Sequence, residues 1–242
     1  MEIGNFISPK KLIEIKRDIV ESALTQSNPI LALEYCNGVL LMAENPSLSL
    51  RKISEIFDNI AFAGTGVYND YERLRKAGVQ FADVKGFSYS RIDVKAKSIA
   101  SSYSDTLGEI FSRSHMPMEV EILVAEVGET QEENRFFYVT YSGGLIEEKY
   151  FSIIGDIYLD NNSKKIQKNI LRNFLKEKNI DGTMNLTESF KVGIEALNSV
   201  RGGSTIRADQ LEVAVLDRQI PRNRKFRQLS KQEIKELMGE GK

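Results

Sequence analysis

The chain has 242 residues, with 33 Lys and Arg against 34 Asp and Glu, one His, one Cys and no Trp. A single Cys excludes a disulfide framework, and Cys36 with His115 falls short of the three or four ligands of a structural metal site. A formal charge of −1 gives no broad attraction to nucleic acid or an anionic membrane. No apolar run approaches the ~20 residues of a membrane-spanning helix. MEIGNFISPKK lacks the basic-then-apolar order of a secretory leader. The expectation is a protein of a reducing cytoplasm, with no cofactor, no metal, no membrane and no nucleic-acid partner.

Met1 to Ser8 reads as a tail carrying apolar Ile3, Phe6 and Ile7. Ser8-Pro9 is a helix start, Ser capping and Pro at the first helical position. Leu12, Ile13, Ile15, Ile19, Val20, Ala23 and Leu24 then follow helical spacing, predicting a helix from Pro9 to Gln26. Ile30 to Tyr35 and Val39 to Ala43 read as a hairpin about Asn37-Gly38, a pair suited to a type I′ turn. Ile53 to Ala63 reads as two more strands closing on Gly64-Thr65-Gly66. Asn69 and Glu72 form a capping-box pattern for a helix with Leu74, Ala77 and Phe81 inward. Ile92, Ala96, Ile99, Ala100, Tyr103, Leu107, Ile110 and Phe111 predict a longer helix.

Past Pro117 the period changes to two. Val120, Ile122 and Val124 alternate with acidic residues, so Glu119, Glu121 and Glu126 are expected on the exposed side of a strand. Phe136 to Tyr141 and Leu145 to Ile154 are strands joined at Gly143-Gly144. Helices are predicted over Ser163 to Lys178 and Leu186 to Val200, a strand over Leu211 to Leu216, and a last helix over Lys231 to Met238. Strands and helices come in groups, which is not the βαβα alternation of a doubly wound fold. The prediction is α+β, two packed sheets with helices on both outer faces, in one domain.

No residue set announces catalysis. Gly64-x-Gly66 lacks a third glycine and reads as a turn; Gly202-Gly203-Ser204 reads as a loop. His115 is expected to satisfy free carbonyls at a helix end. Arg218, Arg222, Arg224, Lys225 and Arg227 read as a solvated or subunit-contacting face. On residues alone, Lys52 is one surface lysine among many.

Residues 43–94, AENPSLSLRKISEIFDNIAFAGTGVYNDYERLRKAGVQFADVKGFSYSRIDV, closely resemble the α subunit of the bacterial 20S proteasome, of the actinobacterial type. FISP (Phe6 to Pro9), VEILVAEV (Val120 to Val127), YVTYSGG (Tyr138 to Gly144) and LEVAVLDRQIPRNRKFRQL (Leu211 to Leu229) extend the resemblance over nearly the whole chain. It implies a four-layer αββα sandwich of the N-terminal-nucleophile hydrolase type with an extra N-terminal helix. It implies seven-membered α rings capping two β rings, with neighbouring α subunits and β subunits as partners. It also implies a ring-shaped ATPase or ATP-independent activator, and pupylated substrates where such a system exists.

In that family the β subunits carry a proteolytic Thr, freed by self-cleavage at the start of the first strand. Such a nucleophile needs a terminal Thr with its own amine as base. Here Pro29 stands at that point behind an intact helix, and no Gly-Thr pair precedes it, so a non-catalytic subunit is expected. A self-processing hydrolase is the alternative. The resemblance further implies a gate made of Met1, Ile3, Phe6, Ile7, Ser8 and Pro9. It gives Lys52, with Gly66 beside it, the role of pairing with the C-terminal carboxylate of a docking activator. The expected organisation is a gating tail over residues 1–8 and one domain over residues 9–242.

Overall fold

The computed structural model describes residues 8–47, 49–159, 166–201 and 204–239. Of the gate residues, Met1, Ile3, Phe6 and Ile7 lie outside the described residues, as do Gly202 and Gly203. The chain order is helix α1 (Pro9–Thr25), strands β1 (Ile30–Tyr35), β2 (Gly38–Glu44), β3 (Ile53–Phe57) and β4 (Ile60–Gly66), then helices α2 (Tyr68–Ser88) and α3 (Ala96–Arg113). Strands β5 (Val120–Glu126), β6 (Arg135–Val139), β7 (Leu145–Glu148), β8 (Phe151–Ile154), β9 (Ile157–Leu159) and β10 (Ile166–Lys168) follow. Helices α4 (Ile170–Glu177) and α5 (Leu186–Ser199), strands β11 (Leu211–Asp217) and β12 (Phe226–Gln228), and helix α6 (Lys231–Met238) complete it.

One five-stranded sheet has the order β12-β11-β2-β1-β8 and the other β3-β4-β5-β6-β7, both antiparallel throughout. Period-two alternation sorts the inner strands onto two buried faces rather than a wet and a dry one, while the edge strand β7 stays mostly exposed. Ile30, Ala32, Val39, Leu41, Ala61, Ala63, Leu123, Ala125, Ala214 and Leu216 meet between the sheets. Leu31, Leu33, Leu40, Met42, Val213 and Val215 pack outward with Leu171 and Leu175 of α4 and Phe190 and Leu197 of α5. Phe62, Val120, Ile122 and Val124 pack outward with Leu74 of α2 and Ile99, Tyr103 and Leu107 of α3. The layers are therefore helix, sheet, sheet, helix, as expected.

The second covered face corrects the reading of the acidic strand residues. Glu121 and Glu126 are buried, and only Glu119 is half-exposed. Glu121 accepts bonds from the Tyr138 hydroxyl (2.5 Å) and the Gly155 N–H (2.8 Å). Burial still pushes its carboxyl above the usual range. Glu126 accepts the Ala96 N–H at 2.9 Å and so caps α3, whose own N-cap residue, Lys95, makes no side-chain cap.

Other local corrections have local causes. The first hairpin turns on Cys36-Asn37, neither of which has positive φ, and Gly38 opens β2. A Cβ at Gly38 would lie 1.9 Å from the Leu216 carbonyl oxygen, so the glycine serves close approach of β11 rather than a type I′ turn. Asn69 does not cap α2, which begins at Tyr68; Glu72 instead bonds Arg75 at 2.7 Å. Ala77 and Phe81 face outward, while Gly78 and Ala82 are buried beside Tyr71 and Leu74. Ile92 belongs to a 3-10 turn at Arg91–Asp93 and is exposed. The helix predicted from Ser163 begins only at Ile170, after β10 and a left-handed Asn169 at φ 63°; the Asp156 carboxylate accepts the Leu171 and Arg172 N–H groups there.

Helix α1 keeps its Ser8 cap, the hydroxyl accepting the Lys11 N–H at 3.3 Å, and Pro9 at its first turn. Its C-terminal half sits down through Val20 and Leu24 against Ile157 and Tyr141. Lys16 donates to the Phe111 carbonyl at the end of α3 (2.7 Å), the task expected of His115, which is exposed. Lys168 bonds Glu21 at 2.5 Å. Leu12 and Ile13, in the first half, stay exposed, as do Phe87, Tyr89 and Ile92 at the far end of α2.

Glu126→Ala removes the side-chain acceptor at the start of α3. It is expected to cost about 1–2 kcal/mol of stability, read as a lower urea midpoint at unchanged slope.

Candidate docking site at the end of the second sheet

Lys52 immediately precedes β3, and its carbonyl accepts the Gly64 N–H of β4 at 3.0 Å. Gly66 closes β4 opposite Val120. It lies two positions on from Gly64, about 7 Å along the strand. Lys52 and Gly66 therefore share one end of the sheet.

The Gly66 backbone has φ 104°, and a Cβ there would lie 2.0 Å from the Glu119 carbonyl oxygen. Gly64-x-Gly66 is thus strand, not turn, and only the last residue carries the left-handed backbone that favours glycine. The Val67 N–H then bonds that Glu119 carbonyl at 2.9 Å.

The Lys52 ammonium is not a loose surface charge. Its Nζ donates to the Asn28 carbonyl at 2.9 Å, and the buried Thr65 hydroxyl donates to the same oxygen at 3.2 Å. Asn28 lies in the short link from α1 to β1, followed by buried Pro29. From the other sheet the Glu212 carboxylate accepts the Lys52 N–H at 3.0 Å, the Ile53 N–H at 3.1 Å and an Asn45 amide N–H at 2.5 Å. Burial lowers the Lys52 pKa to about 8, against the pull of Glu212 and Glu44. Asn28, Thr65 and Glu212 were not singled out from the sequence. Glu212 did leave a trace there: a charge inside the apolar run LEVAVL needs an internal partner.

A cleft of about 1190 Å³ lies at the opposite end of the sheets among Asp58, Lys95, Glu126, Glu133, Arg135 and Arg218, with both signs of charge. The cationic run spends its donors internally. Arg218 bonds the Asn134 side chain, Arg222 the Arg224 carbonyl, Arg224 Glu55, Lys225 the Ile220 carbonyl and Arg227 Glu233. Among the described residues no group of three or more His, Cys, Asp or Glu could hold a metal, and no helix is long and apolar enough to cross a membrane.

Two antiparallel sheets face to face, each backed by a helix pair, define an αββα sandwich of the N-terminal-nucleophile hydrolase type. Residues 25–216 match the proteasome subunit family model. The proteasome subunit alpha of Saccharopolyspora erythraea is 39% identical over 98% of this chain and 89% of its own length. That of Geodermatophilus obscurus is 37% identical over 98% of this chain and 82% of its own, and that of Thermomonospora curvata 36% over the full length of both. The chain belongs to the proteasome subunit family, on its α branch.

The lowered Lys52 pKa has a signed consequence. Between pH 8 and 10.5 the unfolded chain binds the Lys52 proton and the folded chain releases it, so this residue makes stability rise with pH. Relative to Lys52→Met, wild type should gain stability from pH 7.5 to pH 10. Paired urea titrations at the two pH values measure it; a constant difference would contradict the burial of this amine.

Proposed function

We propose that this chain is the non-catalytic, gating and docking subunit of the outer proteasome ring. The observation that carries the reading is the covalent run from α1 through Asn28-Pro29 into β1. A terminal nucleophile would need a free amine and a hydroxyl at that point. Pro29 has neither, and Thr25 is the last residue of α1 with its hydroxyl bonded to the Ser22 carbonyl at 2.8 Å.

On this reading seven copies form a ring that caps a β ring in the cytoplasm. The tails ahead of Ser8-Pro9 converge to close the pore, and Lys52 beside Gly66 receives the C-terminal carboxylate of a ring-shaped ATPase or ATP-independent activator. The enclosed but charged Lys52 suits a carboxylate, whose approach favours the protonated amine.

Native mass spectrometry after co-expression with the cognate β subunit is expected to show a mixed-ring particle whose α chains keep their N-termini. Loss of about the first two dozen residues would instead support a self-processing hydrolase. Deleting residues 1–8 should raise hydrolysis of a small peptide by the assembled particle several-fold, and an unchanged rate would remove the gate. Lys52→Ala should leave the particle intact while abolishing activation by the docking ATPase, and full activation would remove the docking role.

A further inference from the structure

The arrangement around Lys52 contains a second charged residue that the docking reading does not use. Glu212 is buried on β11, in the sheet opposite the lysine. Ala214 and Leu216, its period-two neighbours, point between the sheets, so Glu212 enters the same space at its end. One carboxylate oxygen takes the Ile53 N–H, and the other takes both the Lys52 N–H and the Asn45 amide. The backbone from which the lysine side chain springs is thus tied to the far sheet by charge-assisted bonds.

We infer that Glu212 is the positioning residue of Lys52: it fixes the lysine backbone across the two sheets so that the side chain is set to meet an incoming carboxylate. The inference rests on the docking reading of Lys52. Other groups around the lysine do not replace Glu212. Glu44 of β2 is paired with Arg201. The Asn28 carbonyl and Thr65 hydroxyl are neutral. Tyr71 of α2, near Glu212, has its phenol pushed far up by burial and stays uncharged. Arg51 and Lys231 are cations, and Lys231 itself feels Glu212. Glu212 is the larger of the two anionic influences that raise the Lys52 pKa against burial. Asn45, which Glu212 accepts from, also holds Leu50 and Ser47, so the carboxylate organises the approach to Lys52.

The test labels Lys52 in the assembled particle with trace acetic anhydride across pH 6.5 to 10 and reads the Lys52 peptide by mass spectrometry, since only the free amine reacts. Wild type should show a midpoint near pH 8. Glu212→Gln should move it down by about one pH unit, leaving about threefold less ammonium at pH 7.5. Glu212→Asp, which keeps the charge, should stay near wild type. N-acetyl-trialanine as the free acid should slow labelling at pH 7.5, its C-terminal amide should not, and Glu212→Gln should need about threefold more acid. An unmoved midpoint in Glu212→Gln, with assembly intact by native mass, overturns the role given to Glu212. Absence of protection by the acid in wild type overturns docking at Lys52, and the midpoint comparison then judges Glu212 by itself.

Discussion

Each sheet is covered on both faces, and this constraint shapes the rest of the molecule. A strand buried on both sides has no wet face on which to place a charge. Burying a carboxylate without partners costs several kcal/mol or forces its protonation. Glu121, Glu126 and Glu212 meet the constraint in the same way, at strand ends. Glu121 accepts from the Gly155 backbone and the Tyr138 hydroxyl, Glu126 from the first turn of α3, and Glu212 from the two residues that open β3. Each carboxylate thereby joins elements distant in sequence, and together they pin the sheet ends where apolar packing runs out.

Helix α1 is attached differently. It has a small apolar seat of Val20, Leu24, Ile157 and Tyr141. Polar anchors flank that seat, Lys16 on the end of α3 and Glu21 on Lys168. The anchoring covers only the C-terminal part of the helix. The link beyond it passes Asn28, whose carbonyl holds the Lys52 ammonium. The N-terminal helix, the first strand and Lys52 therefore meet at one carbonyl oxygen.

The layered fold was legible because grouped strands with strong β composition and helices of clear period leave few ways to bury their faces. Helix α1 and strands β1 and β2 were read almost residue for residue. What misled was the assumption that alternation means one wet face, which placed Glu121 and Glu126 in water. Helix starts failed where a distant side chain supplies the cap, as Glu126 does for α3 and Asp156 for α4. Lys52 and Gly66 were singled out only through resemblance, because nothing local distinguishes a lysine before a strand. Of their surroundings only the charge inside LEVAVL was a signal: Glu212 needs an internal partner, but Lys52 is 160 residues away and sequence spacing does not name it.

The apolar side chains left outside the core separate two kinds of stability. Phe87 is 93% exposed, and Tyr89 and Ile92 stand near it at the end of α2, with Leu12 and Ile13 on α1. Their burial contributes nothing to folding of the single chain, so whatever free energy it yields is available only by mass action from other subunits. On the proposed ring reading, removing one such side chain leaves the melting of an isolated subunit almost unchanged while shifting the concentration at which the particle holds together. In such a ring the core and the exposed apolar residues answer to different variables, temperature for the first and concentration for the second.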